Sequence, residues 1–313
     1  MRDTCIEELT ILAESDRDVI LITGDLGFGV LDNFRKKFPK QFLNAGVAEQ
    51  NMTTVAAGMA IEGKKVFTYS IGNFPTLRCL EQIRVDICYH DLNVTVVSIG
   101  GGFSYGSLGM THHATEDLSI MRALPNMKVI SPSTLKEVRG AVKALYEQEG
   151  PSYLRLDKSD AKVDGEENKY QFGKASRIRD GEAITLIACG SVLEECIEAS
   201  NILSKEKIEC RILSMHTVKP LDFQSIKEAT EETGGIITVE ENTILGGLGG
   251  AVAESCVENK SFPSLFKRIG LKDTFSTVVG DQKYLRDHYN INSETIVKIV
   301  KESSSKTSKK NGF

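Results

Sequence analysis

No CxxC pair joins the seven cysteines of this sequence, no apolar run is long enough to cross a membrane, and no basic stripe runs through the body of the chain. Each absence removes a class of protein. Cys5, Cys79, Cys88, Cys189, Cys196, Cys210 and Cys256 are odd in number and sit mostly in apolar runs, as small buried hydrophobes do. A disulfide scaffold is therefore excluded, and a reducing compartment is expected. The longest apolar stretches fall short of the roughly 18 residues a membrane helix needs. Met1 to Glu8 is charged and has no apolar signal core, so a cytoplasmic location is expected. With a formal net charge of −5 and basic residues clustered only at Lys301 to Lys310, nucleic acid is not the expected partner.

What is present is ordinary in bulk and ordered in detail. The 313 residues, 41% hydrophobic and 26% charged, suffice for two domains with cores of their own. Short β-rich runs alternate with longer helical patterns. Val19–Thr23, Val66–Tyr69, Val94–Ser98, Lys128–Ile130 and Tyr153–Leu156 are predicted strands, several of them continuously apolar, as strands covered on both faces are. Gln50–Ile61, Arg78–Tyr89 and Thr134–Gln148 are predicted helices between them. This is the rhythm of a parallel sheet with helices on both faces. The polar stretch SDAKVDGEENKYQ interrupts it. Strands at Ala183–Cys189, Cys210–Leu213 and Ile236–Glu240, with helices at Val192–Ser204 and Gly250–Glu258, then restart it. The expected organisation is an α/β domain over 1–160, a linker over 161–171, a second α/β domain over 172–302 and a disordered tail over 303–313.

Four motifs carry chemistry or imitate it. Gly24-Asp25-Leu26-Gly27-Phe28-Gly29 follows a strand; its spacing is not the dinucleotide fingerprint, and by itself it reads first as a plain strand-to-helix turn, with a close backbone approach to a ligand as the alternative. Glu240 to Gly250, EENTILGGLGG, opens a helix without a Walker lysine, which excludes a nucleotide triphosphate loop; close packing and a phosphate cradle both remain open. Glu49 lies in the first turn of a helix apolar enough to be largely buried, where an acid is either a partner of the helix dipole or a working carboxyl. Gly106 to Leu118, GSLGMTHHATEDL, puts His112 four residues from Glu116 and His113 four residues from Asp117. On a helix such pairs can share a metal, but no third ligand is evident, and histidines lining a cleft fit better.

Taken in order, AGVAEQNM (45–52), LEQIRVDI (80–87), GMTHHATEDLSIMRALPNMKVISPS (109–133), TVKPLD (217–222) and EENTILGGLGGAVAE (240–254) resemble the pyrimidine-binding and C-terminal domains of transketolase. Deoxyxylulose-phosphate synthase and the ketoacid dehydrogenase β chain are similar too. The resemblance implies a thiamine-diphosphate-binding pyrimidine domain followed by a transketolase C-terminal-like α/β domain. It implies that Glu49 hydrogen-bonds the pyrimidine ring of thiamine diphosphate, favouring the tautomer that activates the thiazolium carbon. Phe74 matches the aromatic residue that packs on that ring, Asp25 the acidic position of the first loop, and Arg78 an arginine near the site in the synthase branch. His112 matches the histidine beside the reacting carbon, with His113 in the adjoining glutamine position, and Lys158 the basic residue that meets substrate phosphate.

The family's diphosphate grip, G-D-G with a downstream Asn-Asn that holds Mg²⁺, has no counterpart in the sequence. The resemblance therefore implies a partner chain, the N-terminal diphosphate-binding subunit, and an α₂β₂ heterotetramer whose thiamine diphosphate is shared and whose Mg²⁺ is held mainly by the partner. The implied reaction moves a two-carbon ketol unit from a ketose, phosphorylated by expectation, to an aldehyde. Leu108 replaces the usual acid that reads sugar hydroxyls, and Gly100 stands near the place of a transketolase histidine, which points to a modified or deoxy sugar or to a different keto donor altogether. A decarboxylating enzyme of the synthase or dehydrogenase kind and a non-catalytic assembly subunit are the alternatives.

Overall fold

The computed structural model describes residues 1–163 and 169–310. The first half runs α1 (Arg2–Ser15), β1 (Val19–Thr23), α2 (Asp32–Lys37), β2 (Phe42–Asn44), α3 (Glu49–Ile61), β3 (Lys65–Ile71), α4 (Leu80–Gln82), β4 (Val94–Ile99), α5 (Asp117–Ala123), β5 (Lys128–Ile130), α6 (Leu135–Glu147) and β6 (Ser152–Leu156). The second half runs β7 (Ser176–Arg179), β8 (Thr185–Ala188), α7 (Leu193–Ser204), β9 (Arg211–Ser214), β10 (Thr217–Lys219), α8 (Phe223–Glu232), β11 (Ile236–Thr243), α9 (Leu248–Glu258), β12 (Phe266–Leu271), α10 (Gln282–His288) and α11 (Ser293–Lys310).

β1, β4 and β6 are buried along their whole length, as their mainly apolar sequences predict. They sit inside a seven-stranded sheet of order β10-β5-β6-β4-β3-β1-β2. Every pairing is parallel except at the edge, where β10 lies antiparallel to β5, with Thr217 opposite Ile130. That edge strand comes from the second half of the chain, so the two domains share a sheet, a feature the sequence pattern does not predict. The second sheet has order β12-β11-β8-β9-β7, parallel but for β7 on β9.

Two expectations change. The segment predicted as one helix over Arg78–Tyr89 is a 3₁₀ turn (Leu77–Cys79), then α4, then a π-helical stretch (Ile83–Cys88). Such a widened turn re-aims side chains where a regular helix would not. The tail expected to be disordered from 303 continues α11 as far as Lys310; residues 311–313, and 164–168 of the expected linker, lie outside the described residues. All seven cysteines are buried and free. Among the described residues, no helix is long and apolar enough to cross a membrane.

His216 closes the seam between the domains. Its ring lies 4.4 Å from that of Tyr170, its Nδ1 is 3.0 Å from Thr217 Oγ1, and its Nε2 has no partner. Burial pushes the imidazole down to about 4, with Asp222 opposing weakly. The folded state thus resists a proton that the unfolded chain accepts below its ordinary value of 6.5. Stability should fall as pH drops from 6.5 towards 4, by up to about 3 kcal/mol from this group. In urea titrations at several pH values, His216→Gln is expected to show a visibly shallower loss over that window than the unsubstituted chain; equal slopes would refute the assignment.

Candidate functional site

A parallel sheet presents its ligand crevice at the carboxyl ends of strands whose connections diverge. Here β1 connects to β2 on one side, and β2 then crosses to β3 on the other side of β1. Glu49 enters the crevice at the head of α3, after β2; Phe74 and Arg78 enter from the loop after β3; His112 enters from the loop after β4.

These four side chains form a continuous chain of contacts. Glu49 is 2% exposed, and its Oε2 lies 2.7 Å from Arg78 Nη1. The Arg78 guanidinium carbon lies 4.6 Å from the centre of the Phe74 ring. Phe74 in turn meets the His112 ring edge-on at 5.3 Å. Glycine at position 24 makes room for the acid, because a Cβ there would lie 3.2 Å from Glu49 Cγ. Burial, and secondarily the neighbouring His113, hold the His112 imidazole below its ordinary value, so it is mainly neutral near pH 7.

Two asparagines set this geometry, and sequence reasoning misses both. Asn44, at the end of β2, accepts from the Asp25 and Gly46 N–H groups at 3.1 and 2.9 Å and donates to Asp25 Oδ1 at 2.8 Å. It ties the loop after β1 to the turn that delivers Glu49, and it leaves Asp25 in a supporting place rather than in contact with Glu49. Asn73 Nδ2 donates to the carbonyls of Thr111 and His113, at 3.4 and 2.9 Å, and so brackets His112 from both sides. The only signal for either is adjacency to a motif, which does not distinguish a clamp from a solvated amide.

The structure sets the other expected residues apart from this cluster. His113 is 2% exposed; its Nε2 is 3.0 Å from Gly106 O and its ring stands edge-on to Phe103. Lys158 is exposed at the same edge of the sheet, after β6, with its amine 6.0 Å from the Tyr105 ring. The helical spacing that would pair His112 with Glu116 and His113 with Asp117 does not exist, because α5 begins only at Asp117. Asp117 is engaged elsewhere, with Tyr153 and Arg155. Among the described residues, no group of three or more His, Cys, Asp or Glu side chains could hold a metal ion.

The glycine-rich segment before α9 is also not free to take a phosphate. The Glu240 carboxylate occupies that helix start, accepting from the N–H groups of Leu248 and Gly249 at 2.7 and 2.8 Å. Burial pushes this carboxyl up to about 7 against the pull of those donors. At Gly100, where φ is +90°, a Cβ would lie 2.2 Å from the Tyr105 ring. Tyr105 thus fills the space a larger side chain would need. Leu108 is exposed on the loop leading to His112.

With this geometry in place, comparisons with known proteins agree along the chain. Residues 1–163 match the model for the transketolase pyrimidine binding domain, and residues 173–296 match the model for the transketolase C-terminal domain. A subunit of the apulose-4-phosphate transketolase of Phocaeicola vulgatus is 36% identical over 304 residues, covering 96% of each chain. The 6-deoxy-6-sulfo-D-fructose transketolase subunit SqwH of Clostridium sp. (strain MSTE9) is 34% identical, over 96% of this chain and 94% of that one. A solved structure described as a split gene transketolase, inactive beta4 tetramer, superposes with a TM-score of 0.85 at 32% identity, covering 96% of this chain and 97% of that one. Matched by both domain models in order and by relatives of its own size, the chain belongs to the transketolase family and is a subunit of the split type, carrying its pyrimidine-binding and C-terminal domains.

Proposed function

We propose that this chain supplies the pyrimidine side of a shared thiamine-diphosphate site and, with an N-terminal partner subunit in an α₂β₂ assembly, moves a two-carbon ketol unit from a ketose phosphate to an aldehyde in the cytoplasm. The observation that carries the reading is the slot bounded by the buried Glu49 carboxylate and the Phe74 ring. It already accepts a flat, N–H-bearing group, the guanidinium of Arg78, so a flat aminopyrimidine fits the same donor set. Thiamine diphosphate, when bound, supplies the electron sink for breaking a carbon–carbon bond next to a ketone.

The chain's own part is binding, orientation and proton handling. Glu49 accepts the hydrogen bond that fixes the pyrimidine's protonation; burial keeps water from competing for it. Phe74 provides the platform. His112, neutral and bracketed by Asn73, faces the reacting carbon of the sugar, where it donates to or accepts from a hydroxyl as the bond breaks. Lys158 meets the phosphate end as a point charge. The diphosphate and Mg²⁺ fall to the partner, in keeping with the absence of a G-D-G…Asn-Asn stretch from the sequence. Phe28, Val47 and Leu77 lie within three residues of Asp25, Glu49 and Arg78 respectively and are exposed, as apolar side chains suited to being covered by another chain.

The apolar Leu108 and the filled space at Gly100 favour a sugar lacking a hydroxyl, or otherwise modified, over ordinary xylulose and ribose phosphates. The names of the relatives, an apulose phosphate and a deoxysulfofructose enzyme, lie in the same direction. Reconstitution with a chain carrying the diphosphate-binding domain tests the whole reading. Ketol transfer from a modified ketose phosphate, followed by mass spectrometry and dependent on both chains, is expected. Release of CO₂ from pyruvate instead would establish the decarboxylating alternative.

A further inference from the structure

The two groups assigned to the pyrimidine ring already share a single cation. Arg78 Nη1 is 2.7 Å from Glu49 Oε2, and the same guanidinium lies over Phe74. A guanidinium and an aminopyrimidine have in common the properties this slot selects: both are planar, both offer N–H donors along one edge, and both stack on an aromatic face. In the structure the Arg78 guanidinium takes that place, against Glu49 and over Phe74. We propose that Arg78 is an intramolecular placeholder for the pyrimidine ring, satisfying Glu49 until the cofactor arrives and swinging out as it seats. The inference rests on the reading of Glu49 as the pyrimidine ligand and adds to it a competitor built into the chain.

The surroundings suit a group that stays and leaves. A carboxylate 2% exposed needs a partner, because an ionised acid out of water is otherwise strongly disfavoured. Arg78 meets that need from a side chain that is itself 45% exposed, so solvent lies open to it on the other side. Its backbone is fixed: Arg78 N donates to Asn73 O at 3.2 Å, and Cys79 N to Thr76 O at 3.1 Å. Exchange therefore needs only side-chain torsions, with the loop that carries Phe74 and brackets His112 left in place. In its resting position the guanidinium also keeps Glu49 and Phe74 from an unproductive ligand before a partner chain has closed the site.

The test is a titration of the reconstituted two-chain complex with thiamine diphosphate at saturating Mg²⁺, read by calorimetry. Arg78→Met removes the charge and the planar head while keeping length. It is expected to tighten cofactor binding about tenfold, roughly 1.4 kcal/mol. Unchanged or weaker binding would make Arg78 a bystander or a direct ligand and overturn the proposal. If the unsubstituted complex binds no thiamine diphosphate at all, the reading of Glu49 falls, and the placeholder with it. A second measurement needs no substitution: in guanidino-labelled complex, the Arg78 NMR signal should move towards that of a solvated arginine on cofactor addition. A signal that stays put in a complex shown by calorimetry to be loaded overturns the placeholder alone.

Discussion

Glu49→Gln in the reconstituted enzyme is expected to lower ketol transfer by about 10²–10⁴-fold, the range in which a positioned proton-handling group contributes. The substitution keeps size and hydrogen-bonding capacity but not the negative charge. Glu49 is packed beside Gly24 with its carboxylate against Arg78, so glutamine fits the same space without a cavity. Its released partner, Arg78, is half-exposed and resolvates at little cost. The melting temperature and the assembly with the partner chain are therefore expected to change little while turnover collapses, and that combination distinguishes a working acid from a structural one. Turnover within a few-fold of the unsubstituted enzyme, measured with the same ketose and aldehyde, would leave the non-catalytic assembly role as the better account.

The contrast between Glu49 and its neighbours shows what a sequence can and cannot convey. The α/β rhythm is legible because β1, β4 and β6 are buried on both faces and are mostly apolar, the exceptions being small hydroxyls and the paired Arg155. Glu49, Phe74, Arg78 and His112 stand out by motif, and the fold brings these four together. Asp25, His113 and Lys158 stand out by the same reasoning, yet a motif position specifies where the backbone goes and not where a side chain turns. His113 turns inward to Gly106 O, one residue from the half-buried His112. The short edge strands escape for a different reason. β2 and β10 have three residues each, sit at the two edges of the sheet and are only partly buried, and β10 joins the sheet from the far half of the chain. The competition between a plain turn and a phosphate cradle before α9 is likewise undecidable from spacing, because the deciding group, Glu240, folds back from eight or nine residues earlier.

The least legible part is the buried charge between the domains, and it yields the second large effect. Asp117 and Arg155 are both fully buried and pair at 2.9 Å, with the Tyr153 hydroxyl donating to the same carboxylate oxygen at 2.5 Å. Arg155 Nη2 also donates to Ala114 O and, across the domain boundary, to Glu241 O, at 3.0 and 2.8 Å. Beyond it Glu241 receives Arg286, which also pairs with Glu195 at 3.4 Å. Burial alone would lower the Arg155 value, but the Asp117 and Asp157 carboxylates outweigh burial and keep the guanidinium charged. Removing one member strands its partner's charge out of water, so Asp117→Asn is expected to cost about 3–5 kcal/mol in urea unfolding of the chain. Replacing both, as Asp117→Asn with Arg155→Met, is expected to recover a large part of that loss, because the stranded cation goes with it. A single substitution costing less than about 1 kcal/mol would mean that the pair is hydrated or otherwise compensated. The consequence reaches the proposed site, since Arg155 holds the Ala114 carbonyl two residues beyond His112. Any variant folded enough to assemble should therefore lose more turnover than its stability alone predicts.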